Sequence, residues 1–264
     1  MTRLASTFAT LKQQGRTALV SFIVAGDPNP TMSQDILNGL PASGADIIEL
    51  GMPFTDPMAD GPTIQAADIR ALSAGMTLRK TLGMVKTFRS TNTTTPIVLM
   101  GYYNPVYSHG PEAFARDAAA AGVDGLILVD LPPEEDAEIR IHLKENNIDL
   151  IRLVAPTTSI ERLKMIAASA SGFLYYVSIA GVTGTASINI EDVAKKVTAM
   201  RDITDLPIAV GFGILTPMDA KEVGKTADGV VIGSAFVNII GKIVENQIVS
   251  EVHREVALYR AALT

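Results

Sequence analysis

Apolar and polar positions follow two rhythms along this chain. Short apolar runs, most of them rich in valine and isoleucine, occur at 18–25, 46–50, 96–100, 125–129, 149–154, 173–177, 207–210 and 229–232. Each is too short for a buried helix, and the composition predicts strands. Segments with helical spacing of apolar residues lie between them, at 31–40, 62–72, 78–90, 111–121, 133–145, 159–169, 190–201 and 217–223. Several open on a capping residue or a first-turn proline, as at Thr216-Pro217, where a side-chain oxygen can satisfy a free helix N–H. Residues 1–14 add a short amphipathic helix with Leu4, Phe8 and Leu11 on one side. Strand followed by helix, about eight times over, predicts a parallel sheet closed on itself. The expected fold is therefore α/β, a single-domain (βα)8 or TIM barrel over residues 1–264 with an extra N-terminal helix. An open doubly wound sheet is the architectural alternative.

Composition narrows the function more than the fold. The chain is 47% hydrophobic and 19% charged, ample for a large core, and no Gly-, Ser- or charge-rich stretch divides it. Its net charge of −6 comes without any basic block, which argues against nucleic acid as a partner. There is no cysteine, and His109, His142 and His253 are isolated, so no thiolate or transition-metal site is expected. No run approaches the roughly 20 apolar residues of a membrane helix, and the N-terminal segment lacks the apolar stretch of a signal peptide. A cytoplasmic location, away from membranes, is expected.

In parallel α/β architectures, functional groups collect where strands end and helices begin. Gly211-Phe212-Gly213 follows the seventh predicted strand, and Gly233-Ser234 follows the eighth and opens a helix. Glycines admit an anion close to the backbone, and a helix start supplies free N–H donors. The pair therefore describes a site for a phosphate, where either alone reads equally well as a turn. Gly181-Val182-Thr183-Gly184 lies in a long loop after the sixth strand, readable as a lid with Gly184 as a further phosphate donor or as a plain surface loop.

Carboxylates gather at the same end. Glu49 closes the second strand, and Asp56 and Asp60 punctuate the Pro- and Gly-rich loop after it. Glu49 can be a general acid/base in an apolar pocket or a rim residue paired with a cation; its direction does not follow from counting. Asp before Pro or Gly is ordinary turn chemistry, but three carboxylates near one strand end are less ordinary. Asp130, before Leu131-Pro132, reads as a cap for the next helix. The residues alone describe a site for a small phosphorylated molecule, which an isomerase or aldolase acting on a sugar phosphate would also present.

The segment from Glu49 to Gln65, Glu-Leu-Gly-Met-Pro-Phe-Thr-Asp-Pro-Met-Ala-Asp-Gly-Pro-Thr-Ile-Gln, closely resembles the signature of the tryptophan synthase α-subunit family. Phe22 to Pro28, Tyr102-Tyr103-Asn104-Pro105, Asp130-Leu131-Pro132, Ser178 with Gly181–Gly184, and Gly211-Phe212-Gly213 resemble it too, in the family's order. The resemblance implies cleavage of indole-3-glycerol phosphate to indole and glyceraldehyde 3-phosphate, with no cofactor or metal in this chain. It implies Glu49 as the acid/base and Asp60 as acceptor of the indole N–H. Phe22, Met100, Ile127, Val129, Leu153, Tyr175, Thr183 and Phe212 would meet the substrate, Tyr175 orienting Glu49 or the ligand. Gly184, Gly213, Gly233 and Ser234 would hold the phosphate. It also implies a partner, the β subunit, which carries pyridoxal phosphate and receives indole through a tunnel in an α2β2 assembly. Pro53, Asp56 and Asn104 match the region that meets it.

Overall fold

The computed structural model describes residues 2–178 and 189–264. In chain order the elements are α1 (Arg3–Gln13), β1 (Ala18–Val24), α2 (Pro30–Ser43), β2 (Ile47–Gly51), α3 (Pro62–Ser73), α4 (Leu78–Arg89), β3 (Ile97–Gly101), α5 (Tyr103–His109), α6 (Pro111–Ala121), β4 (Gly125–Leu128) and α7 (Ala137–Glu145). There follow β5 (Asp149–Leu150), β6 (Arg152–Val154), α8 (Ile160–Ser169), β7 (Leu174–Val177), α9 (Ile190–Arg201), β8 (Ile208–Gly211), α10 (Pro217–Gly224), β9 (Gly229–Ile232), α11 (Ser234–Lys242) and α12 (Ile248–Ala262).

All the strand pairs are parallel, in the order β5-β4-β3-β2-β1-β9-β8-β7-β6. The two ends of that order, β5 and β6, are one stretch of chain interrupted at Ile151. The first half pairs with β4 and the second with β7, which brings the sheet round into an α/β barrel. The fifth predicted strand is therefore the seam of the barrel, and its two halves face different neighbours.

Alternation explains why β1, β2 and β3 are buried throughout. One face points into the barrel and the other packs beneath the helices, so both sets of side chains leave water. Helix α1 closes the floor. Its buried stripe is Leu4, Phe8 and Leu11, and the ring of Phe8 meets that of Phe173 with centroids 5.6 Å apart. A Cβ placed on Gly125 would lie 3.1 Å from Leu4 Cδ1, and one on Gly229 would lie 3.6 Å from Phe8 Cε1. The Arg3 guanidinium donates to Asp124 at 2.7 Å, fastening α1 to the start of β4.

Three elements differ from the sequence expectation. Residues 133–135 form a single 3₁₀ turn and α7 starts at Ala137. Residues 103–109 form α5, where the proline and flanking glycine suggest only a loop. Asp130 does not cap the helix that follows it; its Oδ1 accepts the N–H of Tyr103 at 2.8 Å, at the start of α5. The C-terminal α12 packs on α2 and α10, with His253 Nε2 2.9 Å from the Ile36 carbonyl and Arg260 2.6 Å from Asp46.

Candidate active site

Glu49 lies in the middle of β2, in register with Phe22 of β1 and Val98 of β3. It is 1% exposed. Among the described residues no cation pairs with it and its Oε2 has no hydrogen-bond partner. Burial among apolar side chains raises its carboxyl pKa to about 8, and the charge of Asp60 adds to the rise. The rim ion pair that the sequence allowed is not formed. Glu49 is instead an acid that keeps its proton at neutral pH inside an apolar barrel.

Asp60 is placed differently. It ends the loop between β2 and α3, where its N–H donates to the Pro57 carbonyl at 3.0 Å and its own carbonyl accepts from Gln65 Nε2 at 2.8 Å. Tyr102, just beyond β3, donates its hydroxyl to Asp60 Oδ2 at 3.0 Å and accepts the Ala59 N–H at 2.9 Å. Its ring stacks on Phe54 with centroids 5.2 Å apart. One tyrosine therefore ties the start and the end of the loop to the barrel. Burial raises the Asp60 pKa, while the Tyr102 hydrogen bond opposes the rise by favouring the charged form. Two neighbouring carboxyls thus have unlike surroundings, one with an oxygen that has no hydrogen-bond partner among the described residues and one held by a tyrosine hydroxyl.

Close packing at this end depends on absent side chains. Strand β1 lies between β2 and β9, and a Cβ on Gly51 or Gly233 would stand 3.0 Å or 3.1 Å from the ring of Phe22. On the opposite wall, a Cβ on Gly211 would overlap the Tyr175 hydroxyl. Tyr175 is buried, and both burial and the charge of Glu49 push its hydroxyl pKa well up. No direct hydrogen bond joins Tyr175 to Glu49 among the described residues.

Phe212 follows β8 with φ +72°. This left-handed backbone costs a residue with a side chain roughly 1–3 kcal/mol. Its ring meets Tyr175 edge-on with centroids 6.1 Å apart. Beside it, α11 begins at Ser234 after Gly233, with no side chain capping its first amides. Gly233 and Ser234 both line the cleft, and a helix start carries free N–H groups and the positive end of the helix dipole.

These groups line one cleft, walled by Phe22, Glu49, Asp60, Met100, Tyr175 and Phe212, with Gly213, Gly233 and Ser234 at its other end. Ile64, Ile214, Leu215 and Val231 complete it. A second cleft includes Val129 and Leu153 and shares Asp60, Met100 and Phe212 with the first. Ile127 is in register with Met100 but is fully buried and lines neither cleft; Val129, two residues further along, reaches the wall instead. Thr183 and Gly184 lie outside the described residues. Pro53 is buried, and Asp56, on the loop after β2, and Asn104, in α5, are exposed. Among the described residues, no group of three or more His, Asp or Glu is placed to hold a metal ion. Nor is any described helix long and apolar enough to cross a membrane.

The sequence of residues 8–262 matches the family described as tryptophan synthase alpha chain. The chain belongs to that family. Solved structures agree along the whole length. The tryptophan synthase subunit alpha of Legionella pneumophila superposes with a TM-score of 0.93 at 40% identity, covering 100% of this chain and 98% of that one. A Mycobacterium tuberculosis tryptophan synthase chain gives 0.91 at 35% identity, covering 99% and 98%. An Aquifex aeolicus protein gives 0.92 at 36% identity, covering 100% and 99%. Membership of the tryptophan synthase alpha chain family makes this chain a carbon–carbon lyase of tryptophan biosynthesis, cleaving indole-3-glycerol phosphate to indole and glyceraldehyde 3-phosphate.

Proposed function

We propose that Glu49 and Asp60 carry out this cleavage as a proton shuttle and a fixed anion. Glu49, protonated at neutral pH, gives its proton to C3 of the indole ring, while Asp60 accepts the ring N–H and balances the positive charge that develops there. The carboxylate left on Glu49 then removes the proton from the hydroxyl on the adjacent glycerol carbon. The freed electron pair forms the aldehyde carbonyl, the carbon–carbon bond breaks, and its electrons return to the ring. Glu49 ends the cycle protonated. The observation that carries this reading is an unpaired, buried Glu49 with its pKa at about 8, beside an Asp60 whose charge Tyr102 favours.

Phe22, Met100, Tyr175 and Phe212 hold the indole ring, with Val129 and Leu153 on the side of the second cleft, Ile127 behind Met100, and Thr183 from the loop after β7. Gly213, Gly233 and Ser234, joined by Gly184, bind the phosphate mainly through backbone N–H groups at the start of α11. The chain works without a cofactor or metal of its own. Its partner is a β subunit carrying pyridoxal phosphate, in a cytoplasmic α2β2 assembly, met through Pro53, Asp56 and Asn104. Met58 and Tyr107, 78% and 60% exposed in the loop after β2 and on α5, support that assignment, since large apolar groups on exposed loops favour burial by another chain.

The test is indole release from indole-3-glycerol phosphate, measured alone and with a cognate β subunit. Glu49→Gln is expected to lower turnover by about 10³-fold or more while β-subunit binding persists. Undiminished turnover in that variant refutes the role given to Glu49.

A further inference from the structure

The strained backbone at Phe212 raises the question of what holds it. Phe212 follows β8, whose last residue, Gly211, is in register with Val177 at the end of β7. One residue further, Ser178 donates its N–H to the Gly211 carbonyl at 3.0 Å, as a continuing ladder requires. Its hydroxyl then lies 2.9 Å from the Gly211 carbonyl and 2.5 Å from that of Phe212. A serine hydroxyl has one proton to donate, and Gly211 already has the amide. Among the described residues, the Ser178 hydroxyl is the one donor that reaches the Phe212 carbonyl.

The consequence extends in two directions from that carbonyl. On one side the φ of +72° aims the Phe212 ring at Tyr175 and into the wall common to both clefts. On the other it sets the peptide entering Gly213, which also has φ +72° and stands at the amide-lined end of the cleft. The Phe212–Gly213 peptide carries both the Phe212 carbonyl and the Gly213 N–H, so holding one orients the other.

We propose that Ser178 is a positioning residue: its hydroxyl holds the Phe212–Gly213 peptide in the left-handed turn and thereby sets both the Phe212 ring and the Gly213 amide for a phosphorylated ligand. This rests on the phosphate-binding reading above. Ser178 touches the turn and not the ligand.

The test is a double-mutant cycle read two ways, by thermal or denaturant stability without ligand and by calorimetric affinity for sn-glycerol 3-phosphate. The variants are Ser178→Ala, Ser178→Thr, Phe212→Gly and Ser178→Ala with Phe212→Gly. Glycine adopts the turn without strain, so the serine has less to hold there. Ser178→Ala is expected to lower stability and weaken affinity roughly five- to tenfold, the scale of one lost hydrogen bond. Ser178→Thr keeps the hydroxyl and is expected to bind within about twofold of the unaltered protein. In the Phe212→Gly background, Ser178→Ala is expected to change both readouts by clearly less than it does beside Phe212. In turnover, Ser178→Ala should raise KM by a larger factor than it lowers kcat. Equal losses in both backgrounds, or no loss in either, overturn the proposal, as does failure of threonine to rescue. If the unaltered protein neither binds glycerol 3-phosphate nor cleaves indole-3-glycerol phosphate, the functional reading falls, and the stability cycle alone decides whether Ser178 holds the turn.

Discussion

At the scale of the residue, the site is a contrast between two carboxyls. Glu49 keeps its proton to about pH 8 in the folded chain, against an ordinary value of 4.5. Between those values the folded state binds the extra proton and the unfolded state does not, so stability falls as pH rises. The Glu49 contribution is fully present below about pH 4.5 and is lost as pH climbs through 8. Glutamine cannot ionise and escapes this loss. Glu49→Gln should therefore match the unaltered protein in stability near pH 4.5 and exceed it by roughly 4 kcal/mol near pH 8. Parallel melting curves for the two proteins across that range would show that Glu49 is not held protonated. Much of this was legible in the residue string: Glu49 and Asp60 stood out, and the resemblance gave them roles. Tyr102 acquired no role there because nothing in its spacing shows a hydroxyl spanning from one strand end to the next loop. The unpaired state of Glu49 likewise depends on neighbours contributed by other strands.

At the scale of the element, apolar runs located the strands because burial on both faces leaves a continuous signature. The division of the fifth strand was not legible, since it records which neighbours the two halves find when the sheet closes. Helix α5 was hidden by Pro105 and Gly110, which locally favour turns; Asp130, from the next strand end, supplies the hydrogen bond at its start. Helix α12 does carry a helical stripe, Ile248, Val252, Val256 and Tyr259, but its extent is fixed by packing on α2. The predicted helix at residues 1–14 corresponds to α1, and its buried residues have a structural task remote from the chemistry. Leu4→Ala should cost about 2–5 kcal/mol in denaturant unfolding through the cavity left at the floor, with kcat per folded molecule unchanged. A large fall in kcat at full folding would mean that the floor reaches the site.

At the scale of the whole molecule, strand order brings together groups that are far apart in sequence. Phe22, Asp60, Tyr175, Phe212 and Ser234 line one cleft because each lies on or just beyond the same end of a parallel strand. The apolar groups on the overlying loops belong to the proposed partner contact. Tyr107→Asp should weaken association with a β subunit by at least about tenfold, as expected when a charge enters an apolar interface, while turnover without the partner stays as it was. Unaltered association, measured by calorimetry, would remove α5 from that contact.

Helix α1 makes the barrel a vessel with a sealed base. Leu4 and Phe8 are buried against Gly125, Gly229 and Phe173 at the strand starts, the end of the barrel away from the cleft. Among the described residues the cleft lies at the opposite end, so under the proposed function substrate and products pass on the side that a partner would cover.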